Sequence, residues 1–161
     1  GADTFIRVGT SGRVCPRSWD TSLNGVINTA AVRDEGTTIS YVPLAYPAVA
    51  DRHVVDALSR AAKKLGYNFA EGITHSKDAF YGEIEPDTMP NGSYVKERWA
   101  AWEKSNVMCS EMEAAAIFIV SSIRGCRASA VMAYKKVNLQ AAMETAIEGL
   151  RILIEEDKQG R

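Results

Sequence analysis

Short apolar runs alternate with longer stretches of helical period along this chain, and no other feature of the sequence constrains its fold as strongly. The short runs predict strands at 4–8, 26–32, 67–74 and 128–134, with a further extended piece at 37–41. The longer stretches predict helices between Asp51 and Gly66 and at 93–102, 111–123 and 139–156. Because strands alternate with helices, we predict an α/β fold with a central mixed sheet flanked by helices.

Length and charge exclude several classes of protein. The 161 residues are 46% hydrophobic, which is enough for a single domain over 1–161 with a buried core. The longest apolar stretch, 114–120, is too short to cross a membrane, and the first residues lack a signal peptide, so we expect a cytoplasmic protein. A formal net charge of −1 without a basic run favours a small-molecule partner over nucleic acid or a membrane surface.

The cysteines and histidines do not have the spacing of a metal site. Three cysteines are an odd number without paired spacing, and the two histidines are far apart in the chain. We therefore expect neither a disulfide framework nor a metal centre. The lone His75 is interpreted as a hydrogen-bonded structural group rather than a catalytic one.

Two segments carry the groups that chemistry would need. Residues 7–12, Arg-Val-Gly-Thr-Ser-Gly, put a guanidinium, two hydroxyls and flexible backbone amides after the first strand, as in a phosphate cradle; the alternative is an edge arginine before a tight turn. Residues 111–113, Glu-Met-Glu, open an apolar helix, where the helix dipole stabilises each carboxylate by ~0.3–1 kcal/mol. That is a sufficient structural reason for them, but an inward carboxylate there could also accept hydrogen bonds from a vicinal diol.

A third segment, 74–83, mixes aromatic and polar residues within a stretch, 75–92, that we predict to be irregular. Phe80 could stack on a planar ring or fill the core. Trp99 and Trp102 share a face of the next helix and are interpreted as packing groups. In the last helix, Met143, Ile147, Leu150 and Ile154 are expected to point inward.

Six segments in this order resemble uridine phosphorylases of the nucleoside phosphorylase superfamily: FIRVGTSG, AAVRDEGT, YVPLAYPAVAD, GITHSKDAFYGE, SEMEAAAIF and RGCRASAV. The resemblance runs from about Thr4 to Ala133. It implies a three-layer αβα fold and a pentosyltransferase reaction of nucleoside salvage or catabolism. In that reaction phosphate attacks C1′ of uridine, giving uracil and ribose 1-phosphate, with inorganic phosphate as co-substrate and without a metal or organic cofactor.

The resemblance also implies a role for each matching residue. The phosphate contacts are Arg7, Gly9 and Thr10; the ribose contacts are Thr10, Glu111, Met112 and Glu113; the base contacts are Ser11, Gly12, Phe80 and Glu83. Arg7, Thr10 and Glu113 are the residues that it implies for catalysis.

The chain departs from the family's pattern in four places. Family members carry a substantial N-terminal portion, with a second phosphate arginine, ahead of the point where this sequence begins. Residues 18–25 replace a Val-Gly-Asp turn, and 135–138 lead almost directly into the last helix. Members usually read uracil with Gln and Arg, where this chain has Glu83 and Glu85.

A carboxylate has only acceptors, so Glu83 is predicted to accept the base N–H. The carbonyls would then meet backbone amides near Gly12 or Gly82; alternatively Lys77 donates, the carboxylates face solvent, or the preferred base is not uracil.

Several interpretations stay open at this point. The sequence is either part of a longer enzyme or a shortened protein that keeps the fold without full activity. A purine-type or hydrolytic relative, or a degenerate nucleoside-binding subunit, are the alternative functions. Because the family completes each site with a neighbour's residues, and because Trp19, Tyr41 and Tyr46 are expected at the surface, we predict a homo-oligomer, a dimer or a hexamer of dimers.

Overall fold

A mixed sheet of seven strands runs through the centre of the molecule, in a computed structural model that describes residues 1–160. The strands are β1 (Thr4–Thr10), β2 (Gly12–Arg13), β3 (Gly25–Asp34), β4 (Ala48–Val49), β5 (Phe69–Lys77), β6 (Cys109–Glu111) and β7 (Arg127–Ala133). Their order is β1-β7-β3-β5-β6-β2, and β4 pairs with β3. The pairs β1/β7, β3/β5 and β5/β6 are parallel, and β3/β7, β2/β6 and β3/β4 are antiparallel. The prediction of a mixed α/β sheet is confirmed.

Helices cover both faces of this sheet. They are α1 (Arg52–Leu65), α2 (Tyr81–Ile84), α3 (Gly92–Lys104), α4 (Ala114–Ile123) and α5 (Leu139–Lys158). Helices α1 and α5 pack on each other and on β7, whereas α4 packs on β7, β3 and β4. A Cβ on Gly149 of α5 would lie 2.9 Å from Leu58 Cδ2 of α1, so the glycine lets the two helices approach closely. The result is the three-layer αβα arrangement that the resemblance implies.

Helix α1 forms where its capping residues predict it. The Asp51 carboxylate accepts hydrogen bonds from the backbone N–H groups of His53 and Val54, at 2.9 and 3.1 Å. Gly66 ends the helix with φ 76°, a left-handed conformation that favours glycine. Between the caps, Val54 and Leu58 belong to the fully buried face that packs in the core.

The sheet curls so that its two ends meet in one short stretch of chain. Strands β1 and β2 are the first and last members of the sheet order, yet only Ser11 separates them in the sequence. The Ser11 N–H donates to the Ala133 carbonyl of β7 at 2.9 Å, and Gly12 pairs with Ser110 of β6. Residues 7–12 therefore lie beside residues 110–113, about a hundred positions later in the chain.

Three local predictions are wrong. The piece at 37–41 is not extended but contains a 3-10 turn, Thr38–Ser40, because the Glu35 carboxylate accepts from two backbone N–H groups at its start. Glu111 does not open a helix: it ends strand β6, and α4 begins at Ala114. The stretch 75–92 is only partly irregular, since β5 continues to Lys77 and α2 follows.

The inward face of α5 is also predicted wrongly. Met143, Ile147, Leu150 and Ile154 are 38 to 52% exposed. The buried face is instead made of the smaller residues Ala142, Thr145, Ala146 and Gly149, with Leu153. Small residues form this buried face because they allow α5 to approach α1 closely, which bulky side chains would prevent.

Exposed aromatic residues lie where the sequence predicts them. Trp19, Tyr41 and Tyr46 are each more than 40% exposed.

Among residues 1–160, no helix combines the length and the apolar character that a membrane crossing requires.

Candidate functional site

A cavity of about 390 Å³ opens where the curled sheet brings β1, β2 and β6 together. It is lined by Arg7, Thr10, Ser11, Gly12, Lys77, Phe80, Glu83, Ile84, Ser110, Glu111, Met112 and Glu113. The segments 7–12 and 111–113 therefore open into one cleft. Every candidate site residue from the sequence lines this cavity except Gly9.

The buried carboxylate of Glu111 organises the floor of the cavity. Its Oε1 accepts a hydrogen bond from Ser76 Oγ at 2.5 Å. Its Oε2 accepts the backbone N–H groups of Glu113 and Ala114, both at 2.9 Å. These amides begin α4 and have no partner within the helix. Glu111 thus caps α4 from the end of β6, and Ser76 adds to the cap by accepting the Ala115 N–H at 3.0 Å.

Arg7 joins the buried carboxylate to an exposed one. Its Nε lies 3.0 Å from Glu111 Oε2, and its Nη2 forms an ion pair with the carboxylate of Glu113. The Glu111 side chain is 1% exposed and the Glu113 side chain is 58% exposed. The pair with Glu111 holds the guanidinium in place. The pair with Glu113 lies at the cavity surface, where a ligand can replace Glu113 as the partner of Arg7.

Gly9 makes room for this guanidinium. A Cβ at position 9 would lie 2.3 Å from Arg7 Nη1, so with any other residue there the guanidinium would have to move. The residue lies beneath the arginine rather than in the cavity wall. A phosphate contact by Gly9 itself stays a prediction.

At the other end of the cavity, a lysine and a glutamate form an ion pair. Lys77 Nζ lies 2.7 Å from Glu83 Oε2 and donates a hydrogen bond to Ser110 Oγ at 2.7 Å. Both charged side chains are mostly buried, 9% and 18% exposed. A Cβ on Gly12 would lie 1.9 Å from Glu83 Oε1, so the close approach of the carboxylate requires glycine there. Phe80 lies beside this pair at the start of α2 and is half exposed.

This geometry corrects the predicted donors for a base. The Gly82 N–H already donates to the Ala79 carbonyl at 3.1 Å, so it is not free to meet a base carbonyl. Glu85 is exposed and outside the cavity wall. Lys77, one of the alternatives, and Gly12 both line this end of the cavity, and their contacts with a base stay predictions.

His75 has the structural role that the sequence predicts. Its Nε2 lies 2.9 Å from Asp34 Oδ2 and its Nδ1 lies 3.2 Å from Ser110 Oγ. The ring centroids of Trp99 and Trp102 lie 5.8 and 5.9 Å from that of His75, which confirms that they are packing groups.

The partner of His75 is held ionised by its neighbours. Burial raises the pKa of Asp34, but hydrogen bonds from His75 and Arg98 outweigh burial, so the pKa lies below its usual range. These residues surround a second, smaller cavity of about 220 Å³.

Sequence reasoning did not identify Ser76 and Ser110. Successive side chains of a strand point to opposite faces of the sheet, so the polar residues of β5 could have indicated that both of its faces meet polar partners. Thr74 and Ser76 reach Glu111, whereas His75 and Lys77 reach Ser110. Four consecutive polar residues in a buried strand, with both faces polar, indicate two polar networks rather than a loop.

A buried thiol adjoins both networks. Burial raises the pKa of Cys109 to about 11, so this thiol is protonated at neutral pH and is not an activated nucleophile.

Comparison with known proteins identifies the family. A family model described as "Phosphorylase superfamily" matches residues 1–151. The chain belongs to the phosphorylase superfamily. Over 171 residues it is 39% identical to a uridine phosphorylase of Treponema pallidum, covering 98% of this chain and 66% of that protein. It is also 39% identical over 172 residues to a uridine phosphorylase of Thermococcus kodakarensis, covering 99% of this chain and 61% of that protein.

A guanosine phosphorylase of Halorubrum lacusprofundi is 33% identical over 132 residues, covering 81% of this chain and 49% of that protein. The chain thus spans about half to two thirds of the length of the curated relatives it matches.

Replacing Glu111 by alanine is expected to destabilise the fold by about 3–5 kcal/mol, because it leaves Arg7 and the first amides of α4 without their buried partner. Replacing Glu113 by alanine removes only an exposed partner of the same arginine and should change the free energy of unfolding by less than about 1 kcal/mol. Urea unfolding of both variants measures the difference. Equal losses would contradict the central position of Glu111.

Proposed function

We propose that the cavity between β1, β2 and β6 catalyses phosphate-dependent cleavage of nucleosides, with uridine as a substrate. The observation that carries the proposal is that Arg7, Glu113 and Phe80 line one cavity. A guanidinium suits a phosphate, a carboxylate suits a ribose diol, and an aromatic ring suits a base. The uridine phosphorylases among the relatives support uridine as the first substrate to test.

The first step in this proposal is an exchange of partners at Arg7. Phosphate would take the outer nitrogen of the guanidinium from Glu113, while Glu111 keeps the inner nitrogen in place. Thr10, at the end of β1, adds a hydroxyl at the same side of the cavity. The released carboxylate of Glu113 can then accept hydrogen bonds from the 2′ and 3′ hydroxyls of ribose, with Met112 against the sugar.

The bond changes follow from this arrangement. A phosphate oxygen forms a bond to C1′ as the C1′–N bond breaks, and the electron pair of that bond leaves with the base. Positive charge develops on the ribose beside the bound phosphate, and negative charge develops on the base carbonyls near Lys77. Charged groups fixed in place before the reaction stabilise such a transition state. Inorganic phosphate is the co-substrate, and the proposal includes no metal or organic cofactor.

Changing Arg7 to lysine keeps a positive charge next to Glu111 but removes the outer nitrogen of the fork. One lost charge-assisted contact of ~1.5–3 kcal/mol corresponds to roughly a 10- to 150-fold increase in the KM for phosphate. Uridine cleavage assayed at varied phosphate, with detection of ribose 1-phosphate, measures this. The same substitution at Arg17, exposed and outside the cavity wall, should leave the KM unchanged.

The dependence of base release on phosphate distinguishes phosphorolysis from hydrolysis and from nucleoside binding without cleavage. Release of uracil at the same rate without phosphate would contradict phosphorolysis and identify a hydrolase. Binding of uridine without release of base at any phosphate concentration would instead identify a nucleoside-binding subunit.

We also propose that the chain works as a homo-oligomer, at least a dimer, in cytoplasmic nucleoside salvage or catabolism. Exposed aromatic side chains such as Trp19 and Tyr41 and the exposed apolar residues of α5 support self-association. Sedimentation at micromolar concentration should give at least twice the mass of 17.6 kDa. A monomeric mass would contradict the proposal.

A further inference from the structure

A chain of polar contacts leads away from the cavity of the candidate site. Lys77 Nζ donates to Ser110 Oγ at 2.7 Å, and Ser110 Oγ lies 3.2 Å from His75 Nδ1. On the other side of the ring, His75 Nε2 lies 2.9 Å from Asp34 Oδ2. Lys77 and Ser110 line the cavity of the candidate site, whereas His75 and Asp34 line the second, smaller cavity. His75 is thus connected to the candidate site through Ser110.

The pairing of two strands brings these groups together. His75 and Lys77 are two positions apart in β5, so their side chains share one face of the strand. In the parallel pairing of β5 with β6, Ser110 is the partner of His75. His75, Lys77 and Ser110 are all buried. Because buried polar groups need hydrogen-bond partners, the direction of each bond in the chain of contacts is constrained.

The chemistry of the groups assigns a direction to every hydrogen bond. An ammonium has only donors, so Ser110 Oγ accepts from Lys77. Burial raises the pKa of Asp34, but hydrogen bonds from His75 and Arg98 lower it below its usual range, so the ionised carboxylate accepts the N–H of His75 Nε2. A neutral imidazole with its proton on Nε2 has an acceptor at Nδ1, and the Ser110 hydroxyl donates to it. All the donors therefore point the same way, from Lys77 towards Asp34.

Helix α3 holds the imidazole in this orientation. The ring of Trp99 meets the ring of His75 edge-on, with an angle of 79° between the planes, and the ring of Trp102 packs against it at 37°. Arg98, from the same helix, donates to both carboxylate oxygens of Asp34. The aromatic contacts restrict rotation of the imidazole, and the guanidinium restricts movement of its carboxylate partner. His75 therefore keeps Nδ1 directed at Ser110.

The orientation of the Ser110 hydroxyl determines how Lys77 is held. A hydroxyl that donates to His75 Nδ1 keeps its oxygen lone pairs for the ammonium. Without that acceptor, the hydroxyl proton can rotate towards Lys77, where two donors would oppose each other. Lys77 would then keep its ion pair with Glu83 and lose its second anchor. One anchor leaves the ammonium free to swing about that contact, so its position at the cavity depends on the acceptor at Nδ1.

We propose that His75 is a positioning residue of the candidate site, which orients the Ser110 hydroxyl and thereby fixes the Lys77 ammonium at the cavity wall. Asp34 selects the tautomer of the ring that can do so. The inference rests on the proposed function for the reaction that Lys77 serves, but the chain of hydrogen bonds carries the role of His75. In that reaction negative charge develops beside Lys77 only in the transition state. Loss of the position should therefore lower kcat and leave the KM for phosphate unchanged.

Two substitutions of His75 separate the two sides of its ring. Asparagine places an amide oxygen near the position of Nδ1, so His75→Asn keeps the acceptor for Ser110 and loses the contact with Asp34. Glutamine reaches the position of Nε2, so His75→Gln keeps the contact with Asp34 and loses the acceptor. We expect kcat for uridine cleavage to fall about 10- to 100-fold in His75→Gln, as one charge-assisted hydrogen bond provides, and to stay within about 3-fold of the parent in His75→Asn.

The other histidine of the chain supplies the matched control. His53 is exposed in the first turn of α1, outside both cavities. His53→Asn and His53→Gln should leave kcat unchanged. Equal losses of kcat in His75→Asn and His75→Gln, or a parental kcat in His75→Gln, overturn the inference.

A double-mutant cycle tests whether His75 acts through Ser110. Ser110→Ala removes the shared hydroxyl with little change in volume and should lower kcat as much as His75→Gln does. Because both substitutions break the same chain of hydrogen bonds, the double variant should lose no more than either single variant. Additive losses would show that His75 affects the cavity by another route, and they would overturn the inference.

The tautomer of His75 can be observed without any turnover. The chain has two histidines, so nitrogen NMR spectra of the imidazole rings contain two sets of signals, and His53→Gln identifies the set of His75. At about pH 8, where free histidine is neutral, we expect the proton of His75 on Nε2 and an Nδ1 signal that moves in Ser110→Ala. A proton on Nδ1, or an Nδ1 signal that Ser110→Ala leaves unchanged, overturns the inference even if uridine is cleaved with phosphate. The expected spectra without phosphate-dependent release of uracil support the positioning by His75 and contradict the proposed reaction.

Discussion

The buried carboxylate of Glu111 is the interaction on which the site depends. A charge in a protein interior is tolerated only when its oxygens are fully partnered. Here the partners come from three places: a hydroxyl of β5, the first amides of α4 and the guanidinium of β1. The requirement to satisfy one buried group therefore fixes the relative positions of three elements, and it holds Arg7 with its outer nitrogen facing the cavity.

Closure of the sheet brings these elements within reach of one another. Ser11 alone separates the first strand of the sheet order from the last, so the chain that pairs β1 with β7 continues directly into the pairing of β2 with β6. Glycines at positions 9 and 12 then allow a guanidinium and a carboxylate to lie against the backbone. The site is thus a consequence of the topology, with side-chain chemistry added at the point where the sheet closes.

Local signals in the sequence predicted local structure well. Helix α1 was predictable because its caps and its buried face are encoded within a few residues of one another. The piece at 37–41 was not, because the side chain of Glu35 competes with extended structure. The buried face of α5 was predicted wrongly because hydrophobicity favoured its large residues, whereas the fit against α1 required small ones.

The candidate site, like the fold, is predictable from the sequence only in part. Motifs and the resemblance located its residues, and the cavity contains nearly all of them. They did not reveal which groups pair. Glu111 is predicted to open a helix because spacing cannot indicate that a strand ends there. The pairing of Glu83 with Lys77 is not predicted because a strand-to-helix turn separates the two residues. Such pairings become visible only in three dimensions.

The central claim is that one cavity holds phosphate at Arg7 and ribose at Glu113. A crystal structure of the chain with ribose 1-phosphate tests it most directly, because that molecule carries both groups in one covalent unit. The account predicts phosphate oxygens within hydrogen-bond distance of the Arg7 guanidinium, and the 2′ and 3′ hydroxyls within hydrogen-bond distance of a Glu113 carboxylate released from Arg7. Ribose 1-phosphate bound elsewhere, or bound with the Arg7–Glu113 ion pair intact, would contradict it.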